Sequence, residues 1–347
     1  MKKIYLSLMV LFGMGSFLSA QTTQGADDTF KPSGKAIVTI FTDFTNVNTN
    51  SKTDNAFEVS RAYFGYGYNF SKDFSGKVVF DVANSGGLTP SAFSAFLKNA
   101  YAEYNHGIVK ADFGMVGENM FDLQESVWGK RYLYKSLQDQ YGFGSSADLG
   151  AKVKLQFTPE IALDLAAYNG EGYKNVGIKS DSTIQFAVGL TVQPIKNLYA
   201  RVYYDTKANQ SYQSAAVTQS SFNAFVGYKS EQGTLAAEYN TQSGKGNVKG
   251  KNWSGISLYG ALPIVKSFSA FARFDELSSD KLASATTGWN SVKTGTDGSV
   301  YIVGVEYVPV KGIQIAPNFR YADPSSDASK AGAKSVSTLN VNVGINF

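Results

Sequence analysis

From Val336 to Phe347 the chain alternates strictly. Leu339, Val341, Val343, Ile345 and Phe347 fall on one side, and Thr338, Asn340, Asn342, Gly344 and Asn346 on the other. Successive side chains of a strand point to opposite faces, so this strand has one wholly apolar face and one polar, uncharged face. The outer face of a soluble sheet normally carries charge. A strand of this kind is expected to close a transmembrane barrel, with lipid on one side and a watery lumen on the other.

The same pattern recurs along the chain, in about sixteen segments between Lys35 and Phe347. Ala147, Leu149, Ala151, Val153, Leu155 and Phe157 oppose Asp148, Gly150, Lys152, Lys154 and Gln156. Ile184, Phe186, Val188, Leu190 and Val192 oppose Thr183, Gln185, Gly189 and Thr191. An Arg or Lys facing the middle of a bilayer costs roughly 2–4 kcal/mol, which accounts for apolar rows free of charge. Lys98, in line with Ala100, Ala102 and Tyr104, is the exception, and it is expected to snorkel from a loop end. Phe70, Tyr104, Phe157, Tyr228, Tyr307 and Phe347 fall where an interfacial aromatic girdle belongs. Short turns, such as Asn105-His106-Gly107 and Thr158-Pro159-Glu160, alternate with long connections, among them Asn46–Asn55, Ser85–Ala95 and Gly117–Ser146. That asymmetry belongs to outer-membrane barrels, whose short turns face the periplasm. The expected fold is therefore an all-β, transmembrane antiparallel barrel of the outer-membrane porin type, spanning residues 35–347.

Met1–Ala20 reads as a signal peptide. Lys2 and Lys3 precede an apolar stretch, Ile4 to Phe17, and Leu18-Ser19-Ala20 precedes the expected cut before Gln21. The apolar stretch is shorter than the roughly 20 residues that span a bilayer. Gln21–Gly34 is polar and reads as a flexible lead-in. The export signal and the barrel together imply the outer membrane of a Gram-negative bacterium. The absence of Cys removes disulfides and thiolate chemistry, and His106 is the single histidine, so no metal or other cofactor is expected. His106 falls in a tight turn, away from any Ser–His–Asp arrangement, and no phosphate-binding Gly-Lys-Ser/Thr loop follows a strand. The chain is not expected to be an enzyme. The formal charge of +4 includes Lys2 and Lys3, so the exported chain is close to neutral and no nucleic-acid partner is implied.

A barrel of this size leaves an aqueous channel unless something fills it. The inward rows carry Arg61, Lys77, Lys110, Lys152, Lys154, Arg201, Arg273 and Arg320 against Asp81, Glu103, Asp112, Asp148, Asp164, Asp205, Glu238, Asp275 and Glu306. Rings of such charges set ion preference, unless they pair across the wall. Arg201 with Asp205, and Arg273 with Asp275, are placed to pair. All the arginines except Arg131 face inward, which hints at a path for anions. The large insert Gly117–Ser146 bears Glu118, Asp122, Glu125, Trp128, Lys130, Arg131 and Lys135 and has room for a short helix near Leu123 to Trp128. Its aromatics need burial, so it is expected to fold inward as a constriction loop. The alternative is a closed structural or adhesive barrel recognised through external loops.

Four stretches carry a resemblance to a known family. Glu58 to Tyr68, Val78-Val79-Phe80-Asp81, Asn99 to Tyr104 and Gly107 to Gly114 resemble the opening hairpins of the phosphate-selective porin O and P family. The likeness extends loosely to Phe347, and the leader is similar to those of exported Bacteroidetes proteins. The resemblance implies a sixteen-stranded outer-membrane barrel, usually a homotrimer, that contacts lipid and passes small hydrophilic solutes or ions by diffusion. It also implies the terminal Phe347 as a membrane-assembly signal. Phosphate-selective members line the lumen with an arginine ladder beside a lysine cluster. Here only Arg61, Arg201, Arg273, Arg320 and loop residue Arg131 match, with many acids between them.

Overall fold

Alternating segments joined by tight turns must pair as hairpins, and a row of hairpins avoids exposed edges only by closing on itself. The computed structural model describes residues 30–49, 52–84, 93–176, 184–208, 217–280, 290–291, 295–326, 329 and 333–347. The chain divides into Met1–Lys31 and Pro32–Phe347, and the fold below is that of the second unit. The first five strands are β1 (Ser33–Thr49), β2 (Lys52–Asn69), β3 (Phe74–Asn84), β4 (Phe93–His106) and β5 (Val109–Val116). Two short helices follow, α1 (Asp122–Trp128) and α2 (Leu137–Gln140). Next come β6 (Asp148–Thr158), β7 (Ile161–Tyr168), β8 (Gln185–Ile195), β9 (Leu198–Lys207), β10 (Gln219–Ser230) and β11 (Gly233–Ser243). The series ends with β12 (Trp253–Val265), β13 (Phe268–Ser279), β14 (Asn290–Ser291), β15 (Gly295–Thr296), β16 (Gly298–Val310), β17 (Ile313–Pro324) and β18 (Val336–Asn346). All but β14 and β15 form one closed sixteen-stranded barrel, and those two make a separate pair.

The terminal strand does what its alternation requires. β18 pairs with β17 on one side and with β1 on the other, from Thr39↔Asn346 to Thr49↔Val336. Val38 and Phe347 exchange two backbone hydrogen bonds of 3.1 Å and complete the seam. The apolar rows face outward: Leu149, Val188, Leu190, Phe186, Val303 and Leu339 are all exposed. Their opposite rows turn inward, where Asn340 and Asn342 are buried. Phe70, Tyr104, Phe157, Tyr228 and Phe347 are exposed near the short-turn end, and Tyr307 stacks on Phe268 at 4.5 Å. Short connections such as Gly107-Ile108 and Lys196-Asn197 join paired strands directly. They are possible because Gly107 (φ 57°) and Asn197 (φ 70°) accept left-handed backbone.

Three expectations are corrected. The segment Asn46–Asn55 is not a long loop, because β1 and β2 continue through it and pair Thr49↔Lys52. Ala147 does not belong to an outward row; it is fully buried just before β6 begins. Lys98 faces inward rather than toward lipid. Between β3 and β4 the register jumps from Val79↔Asn99 to Phe80↔Leu97, so Lys98 is the extra residue of a β-bulge. One inserted residue exchanges the two faces of the strand, which is why Leu97 and Tyr104 are both outward despite their odd spacing. The leader and the lead-in up to Thr29 lie outside the described residues, and β1 starts at Ser33, slightly before the expected Lys35.

Candidate functional site

The insert between β5 and β6 lies against the inner wall. Its apolar side chains are buried as a cluster: Met120, Phe121, Val127, Trp128, Leu133, Leu137, Tyr141 and Phe143 pack with inward Tyr203, Phe225, Tyr259, Phe271 and Ile302 of the wall. The helix α1 ends where Gly129 takes the left-handed conformation (φ 66°) and returns its N–H to the Glu125 carbonyl. From there the chain turns back, and Trp128 Nε1 donates to the Tyr134 carbonyl at 2.7 Å.

Polar groups of the wall fasten this loop. Arg201 forks onto Asp164 (2.6 and 2.9 Å) and donates to the Asn119 carbonyl at 2.9 Å. Arg273 forks onto Asp275 (2.8 Å twice) and donates to the Lys135 carbonyl at 2.7 Å. Arg320 donates to the Leu133 carbonyl at 3.1 Å and lies over the Tyr134 ring. Glu306 accepts from Lys130 Nζ at 2.5 Å and from the Tyr132 hydroxyl at 2.8 Å. Glu238 accepts from Gln138 at 2.6 Å, and Asp275 from the Tyr141 hydroxyl at 3.2 Å. Asn119, Leu133 and Lys135 lie outside both short helices, so no helical N–H meets their carbonyls and the arginines supply the donors. Within the loop, Arg131 is held by Glu125 and by Asp139 (2.6 Å). Burial alone would push the Asp139 carboxyl up, but Arg131 and Lys135 outweigh it and hold it at about 2. Glu118 goes the other way: its burial, reinforced by Asp148 and Asp205, raises its carboxyl well above the ordinary range.

The sequence reading is therefore corrected for the arginines. Arg201, Arg273 and Arg320 hold loop carbonyls, and a pore of free arginine side chains does not exist on that wall. Arg273 pairs with Asp275 as expected, but Arg201 pairs with Asp164 on β7 and not with Asp205. Asp205 is fully buried on β9. Asp148 caps the connection after β7, accepting from the N–H groups of Leu149 (2.7 Å) and Gly170 (2.6 Å).

The other wall, β2 to β6, pairs several of its charges with one another. Arg61 pairs with Asp81 at 2.7 Å, Lys110 with Glu103 at 2.8 Å, and Lys152 with Asp112 at 3.5 Å. Lys152 also stands 3.9 Å from Asp122 on α1. Lys77 is close enough to Lys98, Lys110 and Lys152 to feel each of them. Lys98 reaches the Tyr63 hydroxyl at 3.4 Å, and Arg131 approaches the same oxygen at 3.5 Å from the loop. The Tyr173 hydroxyl, carried by the connection after β7, donates to Asp81. Clefts flank the loop here. One of about 380 Å³ lies toward the short-turn end, between Lys110, Lys152, Lys154 and the acids Asp112, Asp122 and Asp164. Another of about 460 Å³ opens toward the long connections, between β1, β2, β17, β18 and the loop segment Arg131 to Lys135. His106 meets Asp73 at 3.1 Å on the short-turn rim.

Sequence reasoning missed Tyr63, Asn119, Gln124 and Gln138, which knit the loop to the wall, and Lys98 and Tyr173, which bond to Tyr63 and Asp81 of the wall. Gln124 donates to Asn223 at 2.7 Å, an example of an uncharged pair that alternation marks as inward but cannot match to a partner.

The fold defined by these strands and the inward loop is that of the outer-membrane porins. Daunomycin-bound OmpF of Salmonella typhi superposes with a TM-score of 0.68 at 12% identity, covering 90% of this chain and 97% of that one. The outer membrane channel DcaP of Acinetobacter baumannii gives 0.67 at 12% identity, covering 91% and 97%. The anion-selective porin from Comamonas acidovorans gives 0.65 at 8% identity, covering 91% and 100%. No protein-family model matches the sequence, and no curated protein matches it.

Proposed function

We propose that the protein is an outer-membrane porin, a passive channel for small hydrophilic solutes and ions without catalytic activity or cofactor. The observation that carries this reading is the one-sided docking of the loop. It occupies the β7–β17 wall and leaves lysines of β3–β6 facing Asp122 and Glu125 across the remaining lumen. A transverse arrangement of opposite charges aligns water and dipolar solutes, and it slows apolar ones. Among the described residues Lys77, Lys98 and Lys154 have no ion-pair partner within 4 Å, so the channel prefers anions weakly; a dedicated phosphate ladder is not part of the reading, since Arg61, Arg131, Arg201 and Arg273 pair with carboxylates and Arg320 holds a loop carbonyl. Export through Met1–Ala20, recognition of Phe347 during assembly, lipid around the apolar belt and assembly as a homotrimer complete the proposal.

Planar-bilayer recording of purified, refolded protein tests it. Discrete conductance steps are expected, with a reversal potential in a salt gradient displaced toward the anion. Replacing Lys77 and Lys152 by Gln moves that potential toward the cation. A preparation that inserts without conductance steps favours the adhesive barrel instead.

A further inference from the structure

The larger cleft is lined by charge of both signs, the acids Asp43, Asp54 and Glu58 and the cations Arg61, Arg131, Lys135 and Arg320. On β2, Asp54 and Glu58 line it, since Phe57 and Val59 point to lipid. On β17, Arg320 lines it from the other side. Among the described residues none of these three has an ion-pair partner within 4 Å. The buried Nε of Arg320 has no hydrogen-bond partner, although its neighbouring nitrogen is used by the Leu133 carbonyl. Opposite charges that could lower their energy by meeting are instead held apart by the sheet.

The register sets the separation. Arg320 is level with Thr338 of β18, and Thr338 with Val47 of β1, whose partner on β2 is Asp54. Three strand spacings, about 14 Å along the wall, divide the cation from Asp54, while Glu58, opposite Asp43 of β1, lies four residues further along β2. Between them lie Thr45, Thr338, Asn340 and Asn342, a floor of hydroxyls and amides. Asn340 donates to Asn318 at 3.2 Å and Asn318 to Asn342 at 2.8 Å, so the floor is rigid and still has acceptors and donors to offer. The roof is Tyr132 and Tyr134 of the loop.

We propose that this cleft is a transit site for short peptides of two or three residues, taken up as zwitterions. This rests on the porin reading and names the solute class of that channel. The peptide carboxylate meets Arg320, its ammonium meets Asp54, and its amide groups run over the asparagine floor. An extended chain covers about 3.3–3.6 Å per residue, so two or three residues and the inward reach of the side chains bridge the gap. The adjacent charges of a free α-amino acid reach only one side. A volume of about 460 Å³ admits such a solute.

Single-channel recording with triglycine added to one side tests the assignment, with N-acetyl-triglycine and triglycine amide as probes carrying one charge each. Triglycine is expected to interrupt the current with a residence time about tenfold longer than either derivative, the loss of one charge-assisted contact. Arg320→Gln shortens the triglycine events about tenfold and leaves those of the amide alone. Asp54→Asn shortens them likewise and leaves those of the acetylated peptide alone, so each variant stands in for the other if one fails to insert. Open channels in which triglycine blocks no longer than its derivatives overturn the peptide site and leave the porin reading intact. A wild-type protein without conductance steps overturns both.

Discussion

Glu306 is the most exposed test of how the loop is held. Its carboxylate accepts from Lys130 and Tyr132, the side chains of Lys130 and Glu306 being only 7% and 13% exposed. Glu306→Gln keeps the shape and removes the charge, so Lys130 is left as a buried cation without a counter-ion. Breaking such a pair costs about 3–5 kcal/mol. A loss of about 3 kcal/mol raises the population of undocked loop roughly a hundredfold. Limited trypsin digestion reads that population, because the loop is cut after Arg131 only when it leaves the wall and reclosing is fast. Cleavage, followed by mass spectrometry, is expected to accelerate by about that factor, together with larger open-channel fluctuations. Lys130→Met combined with Glu306→Gln removes both charges and recovers most of the loss, a coupling well above the roughly 0.5 kcal/mol of independent sites. Cleavage of Glu306→Gln at the wild-type rate, or simple additivity in the double variant, refutes the claim that the loop is docked through this pair.

Other outcomes follow from the same geometry. Asp139 is held below the ordinary carboxyl value of about 3.9, so its contribution to the docked loop is complete above that pH and is lost as pH falls toward about 2. It amounts to about 2 kcal/mol; recordings should grow noisier on acidification through this window, and Asp139→Asn should remove the step. Arg273→Met strands Asp275, whose side chain is fully buried, and is expected to destabilise the loop and its wall by about 3–5 kcal/mol in thermal unfolding. Leu190→Arg puts a cation on the lipid face of β8 and is expected to cost about 2–4 kcal/mol in unfolding from lipid vesicles. The same substitution measured in a barrel with Leu190 inside would be far milder.

How much was legible in the sequence differs between the barrel and its contents. Alternation reports a single local fact, on which side each residue points, and a closed sheet needs little more. The terminal strand and the outward rows were readable for that reason. The need of the Gly117–Ser146 insert to bury its aromatics was readable as well, from composition and length.

Partners across the lumen were not. Arg201 lies four residues from Asp205 yet binds Asp164 on β7, and Arg320 meets a carbonyl of Leu133, because those contacts depend on how the loop is seated. The bulge at Lys98 defeats alternation itself, since one added residue reverses the faces while leaving composition unchanged. Thus strand polarity and the lipid-facing rows, apart from Ala147 and the bulge at Lys98, were determined by the sequence alone, through the fixed two-residue period of a strand. Which charges stay in water, which fasten the loop and which stand unpaired across the cleft were decided only by closure of the barrel, which brings distant strands within hydrogen-bonding reach.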